Sequence, residues 1–399
     1  MMPDDVSCYT AITFAPVQGF IEKSRKLRDL YGSSFILSYL ARALCDAAHQ
    51  QLYDRQTNPE PVISPALINL TQGTPNQIII RGNFPEAVAR AVFEKAWTDV
   101  VEACRDEIET RLPDFQPYRW QRAWNAWSNH TWEFFWAQTH KNDDALPDRI
   151  GDVRRRLNEK KRSRGWSGIN WVGESSTLSG ADAIAWYGMA DKVDPKQLHL
   201  SQQTEQISVF CQALSRAFSE AIIAANERLS ILELIKRLIT LDAIAERLNL
   251  QANDRPSVEI PLSFRDINRH RDRPEERRWT GWFQGDGDRI GEYLKGLVET
   301  GEPEAVALHD FSQAMINWGG NTLRSSLPEG GGRIIYAGGD DFLGVLYRNH
   351  PEPALAAREC VDWFDRFPAL WQVHGREITV SVGLVWAAPG VPQRDVLQH

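Results

Sequence analysis

RIIYAGGDDFLGVLY, residues 333–347, decides the fold. One apolar run enters a four-residue turn, Gly338-Gly339-Asp340-Asp341, and a second leaves it, so the stretch reads as a β-hairpin with two carboxylates at its tip. Gly and Asp favour turns for conformational reasons alone, and a solvated hairpin tip would look the same. The flanking sequence separates the two readings. Upstream, RRWTGWFQGDGDRIGEYLKGL predicts a strand from Trp279 to Phe283 that runs into Asp286-Gly287-Asp288, then a helix from Arg289 to Leu297. A second helix, AVALHDFSQAMINWGGNTLRSSL, leads into the hairpin; a third, PALAARECVDWFDRF, and the alternating strand REITVSVGLVWA follow it. The order β-α-α-β-β-α-β is ferredoxin-like. It places the strand ending at Asp286 beside the hairpin, where Asp286, Asp340 and Asp341 converge.

Three carboxylates in one place repel each other unless a cation neutralises them. Two Mg or Mn ions about 4 Å apart are the usual solution for in-line attack of a hydroxyl on a nucleotide α-phosphate. The metals lower the pKa of the attacking 3′-hydroxyl and offset charge on the leaving pyrophosphate. The glycines lack a Cβ and let the backbone approach a base or phosphate closely, and the helix start after Asp288 offers amides to phosphate.

Outward from this unit, residues 9–15 (YTAITFA) alternate as a strand and run into helical periodicity through Leu52. Short strands are expected at 68–70 (INL) and 77–82 (QIIIRG), then a long helix, FPEAVARAVFEKAWTDVVEACRDEIETRL. This is a second ferredoxin-like beginning. The row WQRAWNAWSNHTWEFFW, 120–136, reads as a Trp-rich helix with Trp120, Trp124 and Trp127 on one face, a stripe that suits core packing better than base stacking. Residues 149–164 hold eight Arg or Lys against two acids, a solvated helix face or a strip for phosphate. Residues 201–250 are helical in period, and 265–279, with His270 and Pro274, read as a charged linker.

At 399 residues the chain predicts two or three domains. Its 42% hydrophobic content excludes wholesale disorder. The net charge of −8 requires any nucleic-acid contact to come from local basic strips, bound metal or partners. Five scattered cysteines without a CxxC pair predict reduced thiols and no zinc site. Without a basic-then-apolar leader or an apolar run of spanning length, the expectation is a cytoplasmic protein that does not enter the membrane.

The set Gly285-Asp286-Gly287-Asp288, GGDD at 338–341 and ITVSVGL at 378–384 resembles the palm domain of diguanylate cyclases, adenylate cyclases and the large subunit of type III CRISPR effector complexes. The DD pair, and DGDRIGEYLKGL in place of the diguanylate cyclase pattern, favour the CRISPR subunit. The opening FAPVQGFIEKSRKLRDLYGSSFILSYLARAL resembles that of the Cmr (III-B) type, and the Trp-rich stretch fits its first domain.

The resemblance implies an α+β chain with two ferredoxin-like palm domains separated by a helical domain: 1–175 non-catalytic, 176–275 helical with the linker, 276–399 the GGDD palm. It implies ATP as substrate, cyclic oligoadenylate as product, and other Cmr subunits, CRISPR RNA and target RNA as partners. Asp340, Asp341 and Asp286 become the metal ligands and catalytic acids, and Asp288 a further acid. Gly338, Gly339 and Gly287 line the nucleotide site, and Lys295 contacts phosphate. A catalytically inert scaffold of the same complex and a stand-alone nucleotide cyclase are the alternatives. Two departures from the family are expected: no HD nuclease, since His309-Asp310 is the one HD dipeptide and lacks partner histidines, and a loop, GWSGINWVGESSTLSG, in place of the four-cysteine zinc finger. The chain is also expected to lack the family's C-terminal helical material.

Overall fold

The computed structural model describes residues 8–24, 26–139, 149–163, 165, 170–171, 173–189, 200–220, 222–252, 278–299, 301–328, 331–348, 352–389, 391 and 395–396. The first unit comprises β1 (Tyr9–Ala15), α1 (Gln18–Glu22), α2 (Leu27–Leu52), β2 (Val62–Ser64), β3 (Ile78–Arg81), α3 (Glu86–Arg111), α4 (Gln121–His130) and β4 (Glu133–Gln138). Its strands form an antiparallel sheet in the order β2-β3-β1-β4. After α5 (Arg149–Arg162) come α6 (Leu200–Phe218), α7 (Ile231–Leu238) and α8 (Asp242–Arg247). The second unit runs β5 (Thr280–Gly287), α9 (Ile290–Glu299), α10 (Glu304–Asn317), β6 (Arg333–Ala337), β7 (Phe342–Leu346), α11 (Ala357–Asp365), α12 (Phe367–Gln372) and β8 (Val380–Ala387). Its sheet, also antiparallel, has the order β6-β7-β5-β8. The two sheets share one topology, and the α+β class read from the sequence holds for both.

Two local expectations are corrected. INL at 68–70 is no strand, because the Asn69 side chain closes a turn: its Oδ1 accepts from the Thr71 and Gln72 amides at 3.0 and 3.1 Å. The strand is Val62–Ser64 instead. The Trp-rich row is not one helix either. It breaks after His130, and EFFWAQ forms β4, paired with β1 from Thr10↔Gln138 to Ala15↔Glu133. Its aromatic residues favour a pleated strand, and their four-residue spacing imitated helical period. Trp120, Trp124 and Trp127 are buried, with Trp120 stacked on Tyr118 and edge-on to Trp124, so the stripe is core.

Each sheet buries both faces. Ile12, Phe14, Ile78 and Ile80 face α2 and α3, in a core that continues without a break into Phe210, Leu214, Leu234, Leu238 and Ile244 of the helical segment. Ala11, Ile63, Ile79, Phe135 and Ala137 point the other way, onto Ile150, Val153 and Leu157 of α5 and onto Ala305 and Leu308 of α10. In the second sheet, Phe283, Phe342 and Leu346 pack on Trp318, Trp363 and Phe367. The opposite face, Trp282, Ile335 and Val345, is covered by Leu27 and Leu30 at the start of α2. Each unit therefore supplies a lid for the other's sheet. All five cysteines are buried free thiols. Among the described residues no helix is long and apolar enough to cross a membrane. Residues 265–277 of the expected linker, with His270, lie outside the described residues, as does part of the expected zinc-replacement loop.

Candidate nucleotide and metal site

The central strand β5 sets the geometry. It pairs with β7 through Gly285↔Phe342 and with β8 through Gly287↔Val380, and the Gly287 amide donates to the Asp340 carbonyl at 3.1 Å. Asp286 therefore ends its strand beside the hairpin tip, where its charge acts on both Asp340 and Asp341. Asp286 is exposed, and Asp340 is half-buried. Asp341 lies among many protein atoms although its own surface is open to water. Crowding and then the charge of Asp340 push its carboxyl up to about 6. Asp340 is raised too, by burial and by Asp286, while Arg154 of α5 is near enough to pull it back. The two turn acids resist ionising together, and a cation between them would relieve that cost.

The other sequence-predicted residues fall in different places. The Asp288 carboxylate accepts from Thr379 Oγ1 at 2.8 Å and Ser381 Oγ at 2.7 Å, which lowers its pKa and ties the β5–α9 turn to the β8 end of the sheet. Gly287 has no room for a side chain, since a Cβ would stand 2.9 Å from the Asp340 Cβ. Gly338 is buried and pressed on the first unit: a Cβ would meet the Gly73 backbone and the Tyr336 ring at 3.0 Å. Gly339 is open, its nearest neighbours 3.6 Å from such a Cβ. Lys295 is exposed on α9, 3.8 Å from Glu299. His309 of the HD dipeptide stands 3.3 Å from Glu60 of the first unit.

Sequence reasoning missed the contribution of the first unit. Gln72 accepts from the Ala337 amide through its carbonyl at 2.7 Å, and its side chain donates to Gly320 at 3.3 Å. Gly73, at φ +98°, lies against Tyr336, where a Cβ would come within 2.3 Å of the ring. The Tyr336 hydroxyl lies near enough to Asp341 to hold its carboxyl down against the crowding that raises it. Glu304 of α10 caps α5 by accepting from the Ile150 and Gly151 amides at 2.9 and 3.0 Å, and Arg154 follows one turn on. In the sequence, the basic run 149–164 was the sole signal for that arrangement. The periodic Ile150, Val153 and Leu157 inside it show a helix with one face buried and the other charged.

All-oxygen, anionic donors of this kind suit Mg or Mn. Among the described residues, however, no three His, Cys, Asp or Glu side chains are gathered as a ready metal-binding set. The carboxylates are adjacent along the strand ends without meeting at one point.

Fold and site define a protein with two palm-type ferredoxin-like units, the second bearing a carboxylate turn. Residues 9–116 match the family model described as CRISPR-associated protein Cmr2, N-terminal, and residues 280–399 match that of Cas10/Cmr2, second palm domain. With both matches in order over more than half its length, the chain belongs to the Cas10/Cmr2 family. Solved structures with the same fold include the apo type III-B Cmr-beta complex, at TM-score 0.61 and 10% identity over 98% of this chain and 66% of that one. Cmr-beta bound to cognate target RNA is similar at TM-score 0.53 and 11% identity, over 98% of this chain and 67% of that one. The chain thus spans about two thirds of the length of these structures. No curated protein matches it.

Proposed function

We propose that the chain acts in antiviral defence as the large subunit of an RNA-guided type III (Cmr) complex, and that its second palm converts ATP to cyclic oligoadenylate once target RNA is bound. The observation that carries this reading is the adjacency of Asp286, Asp340 and Asp341 at the meeting ends of β5 and the β6–β7 hairpin, in a unit matched to the family's second palm. Asp340 and Asp341, with Asp286, are the residues to hold Mg or Mn. When bound, the cations acidify an attacking 3′-hydroxyl and offset charge on the α-phosphate and departing pyrophosphate.

The remaining roles belong to the chain. Gly339 leaves the turn open on the side where a nucleotide approaches. Asp288, holding Thr379 and Ser381, fixes the bend that presents the first amides of α9 to phosphate. Lys295 can turn toward a triphosphate because its exposed pair with Glu299 is weak. Partner subunits, CRISPR RNA and target RNA belong to this proposal, as does the cytoplasm as its place of action.

Incubation of the assembled complex with labelled ATP, Mg or Mn, guide and target RNA tests the reading. Cyclic adenylates that require target RNA and vanish in the Asp340→Asn/Asp341→Asn variant are expected. Absence of any nucleotide product from a complex that still captures RNA would sink it. That outcome would leave the inert scaffold, the reading favoured by carboxylates that do not meet at one point.

A further inference from the structure

We propose that the Asn69–Pro75 loop of the first unit is a clamp that positions the carboxylate turn, with Tyr336 as the residue through which it acts on Asp341. This deepens the reading above and rests on it for its link to metal and nucleotide.

The loop is rigid for local reasons. Asn69 Oδ1 accepts from the Thr71 and Gln72 amides, Asn69 Nδ2 donates to Gln72 Oε1 at 2.7 Å, and the Thr74 amide donates to the buried Ser38 hydroxyl of α2 at 2.9 Å. It meets the second unit along the strand that leads into the turn. The Ala337 amide is taken by Gln72, and Pro75 lies beside Gly339. Tyr336 is held between Gly73 and Gly338: neither glycine has space for a Cβ on the ring side, and Gly73 occupies a left-handed backbone conformation that L side chains disfavour. The ring thus has one place to lie, and there its hydroxyl is near enough to Asp341 to favour the ionised carboxylate. The orientation of the Asp341 carboxylate is set by a ring whose own position is set by the other half of the molecule. Outer groups that orient a ligating carboxylate commonly alter metal affinity ten- to a hundredfold when removed.

Three readouts on the full chain separate the clamp from the metal reading. Mn2+ binding is followed by electron paramagnetic resonance, turn mobility by amide exchange in metal-free protein, and folding by thermal denaturation. Tyr336→Phe, which keeps the ring and removes only the hydroxyl, is expected to weaken Mn2+ binding about tenfold and to speed exchange at Asp340 and Asp341, with Val345 exchange and the melting temperature unchanged. Gly73→Ala should likewise weaken Mn2+ binding and speed turn exchange by displacing the ring, with a lowered melting temperature because its Cβ meets the ring from a left-handed backbone. In the Tyr336→Phe background it should weaken Mn2+ binding by less than a further twofold, because both act on binding through one contact. Unchanged Mn2+ affinity with unchanged turn exchange in Tyr336→Phe, or fully additive losses in the double variant, overturn the clamp. Should the unaltered chain bind no Mn2+, the metal reading fails, and exchange alone decides: faster turn exchange in both variants upholds the clamp and unchanged exchange overturns it.

Discussion

Gly338 and Gly339 stand side by side in one turn yet answer to different constraints. A Cβ on Gly338 would enter the Gly73 backbone and the Tyr336 ring, whereas one on Gly339 meets only ordinary contacts. Gly338→Ala is expected to cost about 1–3 kcal/mol in chemical denaturation, and Gly339→Ala to leave stability near that of the parent while reducing nucleotide turnover. Equal stability losses at both positions would contradict this assignment. The neighbouring acids make a pH prediction. The Asp341 carboxyl, raised to about 6, and Asp340, raised as well, bind protons more tightly folded than unfolded. In metal-free protein these two therefore favour folding increasingly as pH falls through about 6 toward the unfolded value. Mn2+ affinity should move the opposite way, weakening below about pH 6, which calorimetric titration at pH 5 and pH 7.5 would register. Asp288 has the reverse sign: its hydroxyl partners stabilise the ionised form, and that contribution is lost on acidification. At this scale the acids were legible in the sequence, because carboxylates at a strand end and a glycine turn have a chemical signature. Tyr336 was not, because its meaning comes from Gly73, and no local pattern joins the two.

Among the elements, α5 illustrates both the strength and the limit of reading periodicity. Its basic residues drew attention, but the helix is placed by Ile150, Val153 and Leu157 and by a cap from elsewhere in the chain, Glu304. Glu304→Ala is expected to destabilise the protein by about 1 kcal/mol, the range for a lost helix cap, and to loosen α5 first, seen as faster amide exchange at Val153. Exchange there equal to the parent would show that the cap does not hold the helix. The charge of Arg154, which acts on Asp340, makes that helix part of the site's electrostatics. The β4 strand was missed because Trp132 and Trp136 fall at multiples of four from Trp120 and Trp124, so an accident of period hid an alternation of buried Phe135 and Ala137 with half-buried Phe134 and Trp136. The 68–70 segment failed for another reason, side-chain capture of the backbone by Asn69, which outweighs the strand preference of Ile68 and Leu70.

Over the whole molecule, the helical segment is bound to the first unit by a buried ion cluster as well as by a shared core. Arg237, fully buried, donates from Nε to Asp29 at 2.7 Å and bonds Glu227 through both terminal nitrogens. These charges join α2 and α7 across a separation of 208 positions. Arg237→Leu leaves Asp29 and Glu227 without it, and a loss of about 3–5 kcal/mol is expected, read as a shift of the urea midpoint. A change below about 1 kcal/mol would show that the cluster is dispensable. The sequence reading separates a helical domain at 176–275, and nothing in its periodicity could report that Leu234 and Leu238 share a core with Phe35 and Leu44. Such contacts depend on chain direction in space, which amphipathic patterning does not encode. The place of β5 beside the β6–β7 hairpin was legible, since element order and connection length constrain it strongly, whereas the order of the first sheet was not, its β4 having been read as helix and its β2 set at 68–70.

The face of the second sheet that carries Trp282, Ile335 and Val345 is covered by Leu27 and Leu30. During synthesis those two leucines leave the ribosome long before the strands they cover, so the cover waits for its sheet, and the later strands never need face the cell with that surface bare. A fragment starting after residue 252 reverses this order of events. It would carry the whole carboxylate turn and yet leave Trp282, Ile335 and Val345 without Leu27 and Leu30, so insolubility of such a fragment would report a missing neighbour rather than a defective palm.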